Sequence, residues 1–156
     1  TQYGREKGIP QLLKLTTTVL NAHSGWLCDV RDLNAPLKLF CNYTVPGYKK
    51  LTPLNLPGRC VLKLCHKYST FAYNSQHEMP HPIQDICQQQ GIASFMYSVI
   101  SVAEQESFLL FFQRQEKAKP WTTNEKKIMH YTSKMFALLL NRHFQKHTLQ
   151  GNGGTP

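Results

Sequence analysis

The sequence predicts a single α+β domain, and three observations support this prediction. Residues 91–102 and 107–115 each form an apolar-rich stretch typical of a strand, and the short acidic stretch 103–106 between them is typical of a hairpin turn. A long helix follows, opened by Thr122 and Glu125, whose spacing matches a capping box. A length of 156 residues with 41% apolar side chains is enough for one hydrophobic core.

The start of the chain is predicted to form a helix and then a hairpin. Pro10 is tolerated in a first helical turn, and apolar residues then recur with helical spacing to about Asn21. Residues 23–32 and 37–45 mix apolar and polar side chains in alternation and flank a turn cluster, which indicates two paired strands. The segment 46–58 contains three prolines and predicts a long loop, a kind of loop that tends to be functional or mobile.

Shorter elements are predicted between this loop and the last hairpin. Residues 59–67 are interpreted as a short helix, although their apolar content also fits a strand. Residues 69–73 alternate aromatic and small side chains, as a strand does. A polar loop over 74–82 leads to a helix over 82–90, which Pro82 places in its first turn and Gly91 ends.

The last helix, predicted over 122–147, has an apolar arc wider than packing on one sheet requires. We assign one stripe of this arc to the core and a second to the outer face, as a dimer interface. The core stripe is Ile128, Tyr131, Met135 and Leu138, and the outer stripe is Phe136, Leu140 and His143. Because no stop signal precedes Gly151, the pattern favours continuation into a coiled coil or a dimer bundle.

Charge and cysteine content limit the classes of partner and compartment. The formal charge of +9 is spread thinly, which favours a solvated basic face over a nucleic-acid surface. Five cysteines without a Cys-x-x-Cys spacing indicate neither a disulfide framework nor a zinc finger, and they fit a reducing, cytoplasmic setting. No apolar run is long enough to span a bilayer, so no membrane partner is expected.

We expect the chain to be a piece of a longer protein, because it starts with Thr and ends in the polar stretch GNGGTP. It divides into an N-terminal extension (1–7), a folded domain (8–148) and a flexible tail or linker (149–156).

The order of these elements and three stretches of sequence resemble the GAF domain family. The stretch GIASFMYSVI is similar to the strand entry of that family, SFLLFF to its final core strand, and KPWTTNEKKIMHYTSKMFALLLNR to the capped start of its last helix. Two positions depart from the family pattern, where Val99 replaces a common Pro and Phe108 replaces a common Gly. We expect Phe108 to narrow any ligand pocket.

The resemblance implies a profilin- or PAS-like fold: a central antiparallel sheet, with the N- and C-terminal helices on one face and a small-ligand chamber on the other. Family members bind cyclic nucleotides, bilins, haem or small metabolites, or relay signals as dimers without a ligand. If such a chamber exists here, aromatic strand residues are expected to line it and polar residues to fix the ligand. The candidate ligand-binding residues are Arg59, Phe71, Tyr73, Asp85, Phe95 and Tyr97.

The cysteines are candidates for bilin attachment or thiol catalysis, and the alternative is that they are buried structural residues. A covalent bilin is disfavoured, because the only Cys-His pair, Cys65-His66, lies a helix earlier than in bilin-binding relatives. A thiol enzyme similar to free methionine sulfoxide reductase needs a thiolate and a resolving Cys, for which Cys60 and Cys87 are the candidates.

Histidines are the candidate metal or haem ligands. His77 and His81 are four residues apart, but the prolines between and after them oppose a regular helical metal site. Nothing in the sequence chooses among His66, His77 and His81 as a haem ligand.

The function predicted from the sequence is that of a GAF-like regulatory domain, not itself an enzyme. It would sense a small ligand or relay a signal through a homodimer formed by its first and last helices, and it would act on an output domain in the same longer chain. A thiol reductase and a basic nucleic-acid-binding module are the alternatives.

Overall fold

The computed structural model describes residues 2–51, 56–65, 70–116 and 119–153. Its helices are α1 (Gln2–Val19), α2 (Gly58–Leu64), α3 (His81–Gln90) and α4 (Thr123–Gly153), with a short 3-10 helix at Gln76–Glu78. Its strands are β1 (Ser24–Asp29), β2 (Lys38–Thr44), β3 (Phe71–Tyr73), β4 (Ser94–Val102) and β5 (Gln105–Arg114).

The strands form one antiparallel sheet in the order β2-β1-β5-β4-β3. The strands β1 and β5 lie in the middle, and the hairpins β1–β2 and β4–β5 flank their contact. The predicted central antiparallel sheet is therefore confirmed.

The sheet has two buried faces, because side chains alternate along each strand. On one face, which we call the helix face, α1 and α4 cover residues such as Met96, Leu110 and Phe112. On the other, which we call the aromatic face, Trp26, Tyr73, Phe95, Tyr97 and Phe111 pack with residues of α2 and α3. Both terminal helices thus share one face, as predicted.

Local signals in the sequence placed the ends of several elements. The hairpin β4–β5 turns through Ala103 and Glu104, which have φ angles of 52° and 66°. Positive φ at both central residues is the geometry of a two-residue hairpin turn, so the turn is shorter than the predicted 103–106. Gly91 ends α3 in the left-handed conformation with φ of 77°, as a helix-ending glycine is expected to do.

Two helix ends differ from the sequence prediction. The helix α1 begins at Gln2, so Pro10 lies inside it and not in its first turn. The sequence prediction placed Pro10 in the first turn because proline prefers that position in a helix. The helix nevertheless begins earlier, and Ile9 and Leu13 on either side of Pro10 are buried in the core. The helix α4 extends to Gly153, beyond the predicted end at 147.

The sequence assignment of the two faces of α4 is reversed at most positions, although Ile128 of the predicted core stripe does pack against the core. Phe136 and Leu140 are fully buried and His143 is 9% exposed, so their assignment to the outer face is wrong. Tyr131, Met135 and Leu138 of the predicted core stripe are instead more than half exposed. The apolar arc spans both faces, so helical spacing alone could not choose which side meets the sheet.

The expectation that Phe108 narrows a pocket is also wrong. Its position opposite Ile100 and Asp29 places Phe108 on the helix face, where its ring lies 5.6 Å from that of Phe144. Phe108 is therefore a core residue under α4 and lies on the side away from the aromatic face.

The helix α1 approaches β1 most closely at Gly25. A Cβ atom at this position would lie 2.5 Å from Thr17 Oγ1 and 2.8 Å from the ring of Phe112. Thr17 itself is fully buried and donates its hydroxyl to the Leu13 carbonyl at 2.7 Å. Only glycine fits between these two side chains without displacing one of them.

Candidate functional site

The aromatic face holds a continuous set of neighbouring aromatic rings. Phe111 lies 4.6 Å from Phe95 and 5.0 Å from Trp26, ring centre to ring centre, and both pairs are stacked. The ring of Tyr73 lies 5.1 Å from that of Phe95, and the ring of Tyr97 lies 6.1 Å from that of Phe95. Tyr97 follows Phe95 by two residues in β4 and therefore lies on the same face of the sheet. The strand register creates this set, because directly opposed residues of antiparallel strands share a face.

The structure brings four of the six candidate ligand-binding residues together. Phe71 pairs with Tyr97 and Tyr73 pairs with Phe95 across β3 and β4. Three of these rings are buried, and Phe71 on the edge strand is 37% exposed.

The other two candidate ligand-binding residues are exposed on the short helices. Arg59 lies on α2 and Asp85 lies on α3, where the Asp85 carboxylate is 3.7 Å from His81 Nδ1. Asp85 thus has a local partner on its own helix, one turn away.

A row of polar side chains borders the aromatic rings on the same face. Ser24 of β1 lies directly opposite Thr44 of β2 and Gln113 of β5, and we call these three residues the polar row. Ser24 and Gln113 are fully buried. The Ser24 and Thr44 hydroxyls, both amide atoms of Gln113 and the neighbouring Trp26 Nε1 have no hydrogen-bond partner in the part of the chain that the structure describes. The polar row was not predicted from the sequence, because polar residues at the end of a strand are usually exposed and nothing in the sequence shows that Ser24 and Gln113 are buried.

Four of the five cysteines are in an environment that opposes thiol chemistry, and the fifth, Cys60, lies partly buried on α2. Burial raises the pKa of Cys28, Cys41, Cys65 and Cys87 to about 12. At neutral pH these side chains are thiols and not the thiolates that attack disulfides or sulfoxides. Cys87, one of the two candidate catalytic residues, is fully buried.

The histidine candidates are not gathered into a metal site in the described ranges. No group of three or more His, Cys, Asp or Glu side chains that could hold a metal ion occurs among them. His77 lies in the 3-10 helix and His81 begins α3. His66 lies outside the described residues.

Arg114, at the end of β5, connects the sheet to both terminal helices. Its guanidinium donates to the carbonyls of Leu20 at 2.7 Å and Asn21 at 3.1 Å, directly after α1. The same group donates to the Lys119 carbonyl at 3.0 Å and to the Glu125 carboxylate at 2.7 Å. We call Arg114 and these partners the Arg114 hub.

The hub is buried and coupled to the start of α4. Glu125 Oε1 accepts the Thr122 amide at 2.8 Å while Thr122 Oγ1 accepts the Glu125 amide at 3.0 Å, which confirms the predicted capping box. The second carboxylate oxygen of Glu125 binds Arg114, whose guanidinium also lies 3.7 Å from the ring centre of Trp121. The spacing of Thr122 and Glu125 predicted only the capping box. The ion pair between Glu125 and Arg114 was not predicted from the sequence.

His23 lies beside the hub as a hydrogen-bond acceptor. The Gln115 amide donates to His23 Nδ1 at 2.8 Å, and the imidazole stacks on Tyr48 at 3.8 Å. Burial lowers the pKa of His23 below its usual value, Glu116 opposes this effect, and Arg114 adds to it. The hydrogen bond requires an unprotonated Nδ1, so the folded protein favours the neutral ring.

We expect acid to weaken the fold through His23. The folded-state pKa is lowered, so the stabilising contribution is present above the unfolded-state pKa of about 6.5 and is lost as the pH falls below it. His23→Asn keeps an acceptor but does not titrate, and urea unfolding from pH 7.5 to 5 should show a shallower loss of stability than in the wild type. His130→Asn on α4 is the control and should keep the wild-type slope; a parallel loss in His23→Asn would contradict the assignment.

A surface cleft of about 390 Å³ opens at the hub. Its lining is mixed in charge, and it consists of Asn21, His23, Arg114, Glu116, Lys119, Pro120, Thr122 and Glu125. The buried charges of Arg114 and Glu125 already neutralise each other.

None of the helices, within the residues described, is long and apolar enough to cross a membrane.

Comparison with known proteins identifies the fold. The chain is 12% identical to the blue-light-absorbing form of the PixJ GAF domain of Thermosynechococcus elongatus, covering 99% of this chain and 95% of that one, with a TM-score of 0.78. It is 12% identical to a Synechocystis GAF domain in its photoproduct state, covering 96% and 99% of the two chains, with a TM-score of 0.76. It is 11% identical to a GAF domain/HD domain protein of Geobacter sulfurreducens, covering 93% and 99%, with a TM-score of 0.67.

No family model and no curated protein matches the sequence. The structural matches confirm that the chain has the fold of a GAF domain, as the sequence resemblance implied. The disfavoured covalent bilin stays a prediction, and two of the three domains described above are a light-absorbing form and a photoproduct state.

Proposed function

We propose that this chain is a regulatory domain of GAF fold that senses a small ligand on the aromatic face and transmits the change to α1 and α4. The observation that supports this proposal is the adjacency of Gln113 and Arg114 on β5. Gln113 belongs to the polar row on the aromatic face, whereas Arg114 holds the end of α1 and the start of α4 on the helix face. A shift of β5 on one face must therefore move the hub on the other.

The mechanism is a shift between two arrangements of the helices. A ligand changes the output only if it binds one arrangement more tightly than the other. Phe71, Tyr73, Phe95 and Tyr97 are proposed to contact this ligand, with Arg59 and Asp85 reaching only a ligand that extends to the surface. The receiver is an output domain in the same longer, cytoplasmic protein, joined to α4.

We further propose that α1 and α4 form the interface of a homodimer, with a surface other than the one assigned from the sequence. The exposed apolar residues of these two helices are Leu15, Val19, Tyr131, Met135 and Leu138. Because α1 and α4 pack side by side on the helix face, the exposed sides of both helices are available to a second copy of the chain.

Light scattering across a concentration series tests the dimer. We expect the wild type to dimerise and Leu138→Glu to be monomeric, because the carboxylate would be buried without a partner. Lys126→Glu is the control, since it places the same carboxylate on α4 about 140° away from the stripe and should leave the dimer intact. A wild type that stays monomeric at millimolar concentration would refute the dimer.

Ligand sensing is tested separately with defined probes. Cyclic nucleotides, biliverdin and haemin should be added in turn while the melting temperature and the visible absorbance spectrum are recorded. A saturable rise in melting temperature with any of them supports sensing, and a new visible band identifies a pigment ligand. If none of these or of a wider metabolite panel shifts the melting temperature, the sensing proposal fails.

A further inference from the structure

The polar row contains hydrogen-bonding capacity that the described residues do not use. Gln113 is fully buried, yet its carbonyl oxygen and its amide nitrogen both have no partner among the described residues. Buried polar groups are nearly always hydrogen-bonded, and an unmet group carries a large desolvation cost. Such atoms therefore indicate a partner other than the described residues.

The unpaired atoms belong to side chains at neighbouring positions on one face of the sheet. Ser24 lies directly opposite Gln113 on one side and Thr44 on the other, and directly opposed side chains begin about 5 Å apart. Trp26 follows two positions along β1 on the same face and contributes its unpaired Nε1–H. The four residues thus provide donors and acceptors along one stretch of the sheet.

The surroundings of the row are aromatic and lack a buried counter-charge among the described residues. Trp26 stacks on Phe111, and Phe111 stacks on Phe95, which lies opposite Gln113. The buried charged side chains in the described ranges, Arg114 and Glu125, lie on the helix face and pair with each other. Among the described residues, a charged ligand would find no buried counter-charge on this face, and burying an unpaired charge is very costly.

Two contacts close this end of the face. The Gln115 side chain accepts the Lys49 amide at 3.0 Å and donates to the Lys49 carbonyl at 2.6 Å. Tyr48 stacks on His23, the residue directly before Ser24. Residues 48 and 49 are thereby held next to the strand ends that carry Ser24 and Gln113.

We propose that the polar row recognises a small, uncharged, planar molecule that presents adjacent N–H and C=O groups, the edge of an amide or lactam. The Gln113 amide matches such an edge with one acceptor and one donor, while the Ser24 hydroxyl and Trp26 Nε1 extend the pattern. The rings of Trp26, Phe111 and Phe95 accept its flat faces. This inference rests on the proposed function, and it names the ligand class of the same face.

The experiment uses two small probes with the intact chain. 2-Pyridone carries the N–H and C=O edge, and N-methyl-2-pyridone keeps the ring and carbonyl but lacks the donor. In an NMR titration at millimolar concentration we expect saturable shifts at the Ser24 and Gln113 amides with 2-pyridone. Binding of the N-methyl probe should be at least about tenfold weaker, because it leaves Gln113 with an unpaired acceptor.

A matched pair of variants separates recognition from folding. Gln113→Leu should abolish 2-pyridone binding while the melting temperature of the free protein stays level or rises, since an apolar replacement removes an unpaired buried group. Gln88→Leu on the exposed side of α3 is the control and should bind 2-pyridone as the wild type does. A structural role for Gln113 would instead lower the melting temperature.

Three results would overturn the inference: no saturable binding of 2-pyridone, equal binding of the two probes, or unchanged binding in Gln113→Leu. If 2-pyridone does not bind and Gln113→Leu is destabilised, the row is satisfied by ordered water only. If a cyclic nucleotide raises the melting temperature of the wild type and of Gln113→Leu equally, the sensing proposal stands and this inference alone fails.

Discussion

Arg114→Met should lower the free energy of unfolding by about 3–5 kcal/mol, because it leaves the buried Glu125 carboxylate without its cation. The variant also removes the donors to the carbonyls after α1 and to Lys119. Methionine keeps most of the side-chain volume, so the effect reports lost charge and hydrogen bonds rather than a cavity. Urea unfolding followed by circular dichroism measures it.

Two variants show whether the loss belongs to the ion pair. Arg142→Met removes an arginine from an exposed position of α4 and should change stability by less than about 0.5 kcal/mol. Adding Glu125→Gln to Arg114→Met removes the unpaired charge and should restore part of the stability, giving a non-additive cycle. Strict additivity, or an Arg114→Met loss below about 1 kcal/mol, would contradict a buried hub.

Phe136→Ala should destabilise the domain by about 3–5 kcal/mol, because its ring is fully buried between α4 and the sheet. Met135→Ala is the matched control from the next position of the helix. Since Met135 is 52% exposed, its truncation should cost less than about 0.5 kcal/mol in the monomer. Chemical unfolding at a concentration where the protein is monomeric compares the two.

The pair also tests the orientation of α4. If Met135→Ala costs as much as Phe136→Ala in the monomer, the buried face of the helix is not the one described. If Met135→Ala weakens only the dimer, the exposed stripe is the interface and the inner one is core.

The sequence was sufficient where the signal is local. The capping box of Thr122 and Glu125, the αL glycine at Gly91 and the two hairpins each depend on residues a few positions apart, and the structure confirms them. These signals, together with the order of the elements, were enough to predict the fold class.

The sequence was insufficient where distant parts of the chain decide the outcome. Arg114 meets Leu20 and Asn21, which lie more than ninety positions earlier, so no spacing rule could pair them. The inner face of α4 depends on which apolar side chains the sheet accepts, and the position of Phe108 depends on strand register.

The candidate site shows the same division. The resemblance to the GAF family implied that Tyr73, Phe95 and Tyr97 would line one chamber, and the structure places these three residues on one face of the sheet. The polar row was missed, because its burial arises from three strands meeting at one end of the sheet.

The close approach at Gly25 determines how α1 can move. Thr17 leaves no room for α1 to advance toward β1, so the helix can tilt about this point more readily than it can shift inward. The start of α1 at Gln2 lies about 22 Å from this pivot at a rise of about 1.5 Å per residue. If the proposed signal rotates α1 about this contact, a small rotation at the Arg114 end of the helix gives a larger displacement at Gln2.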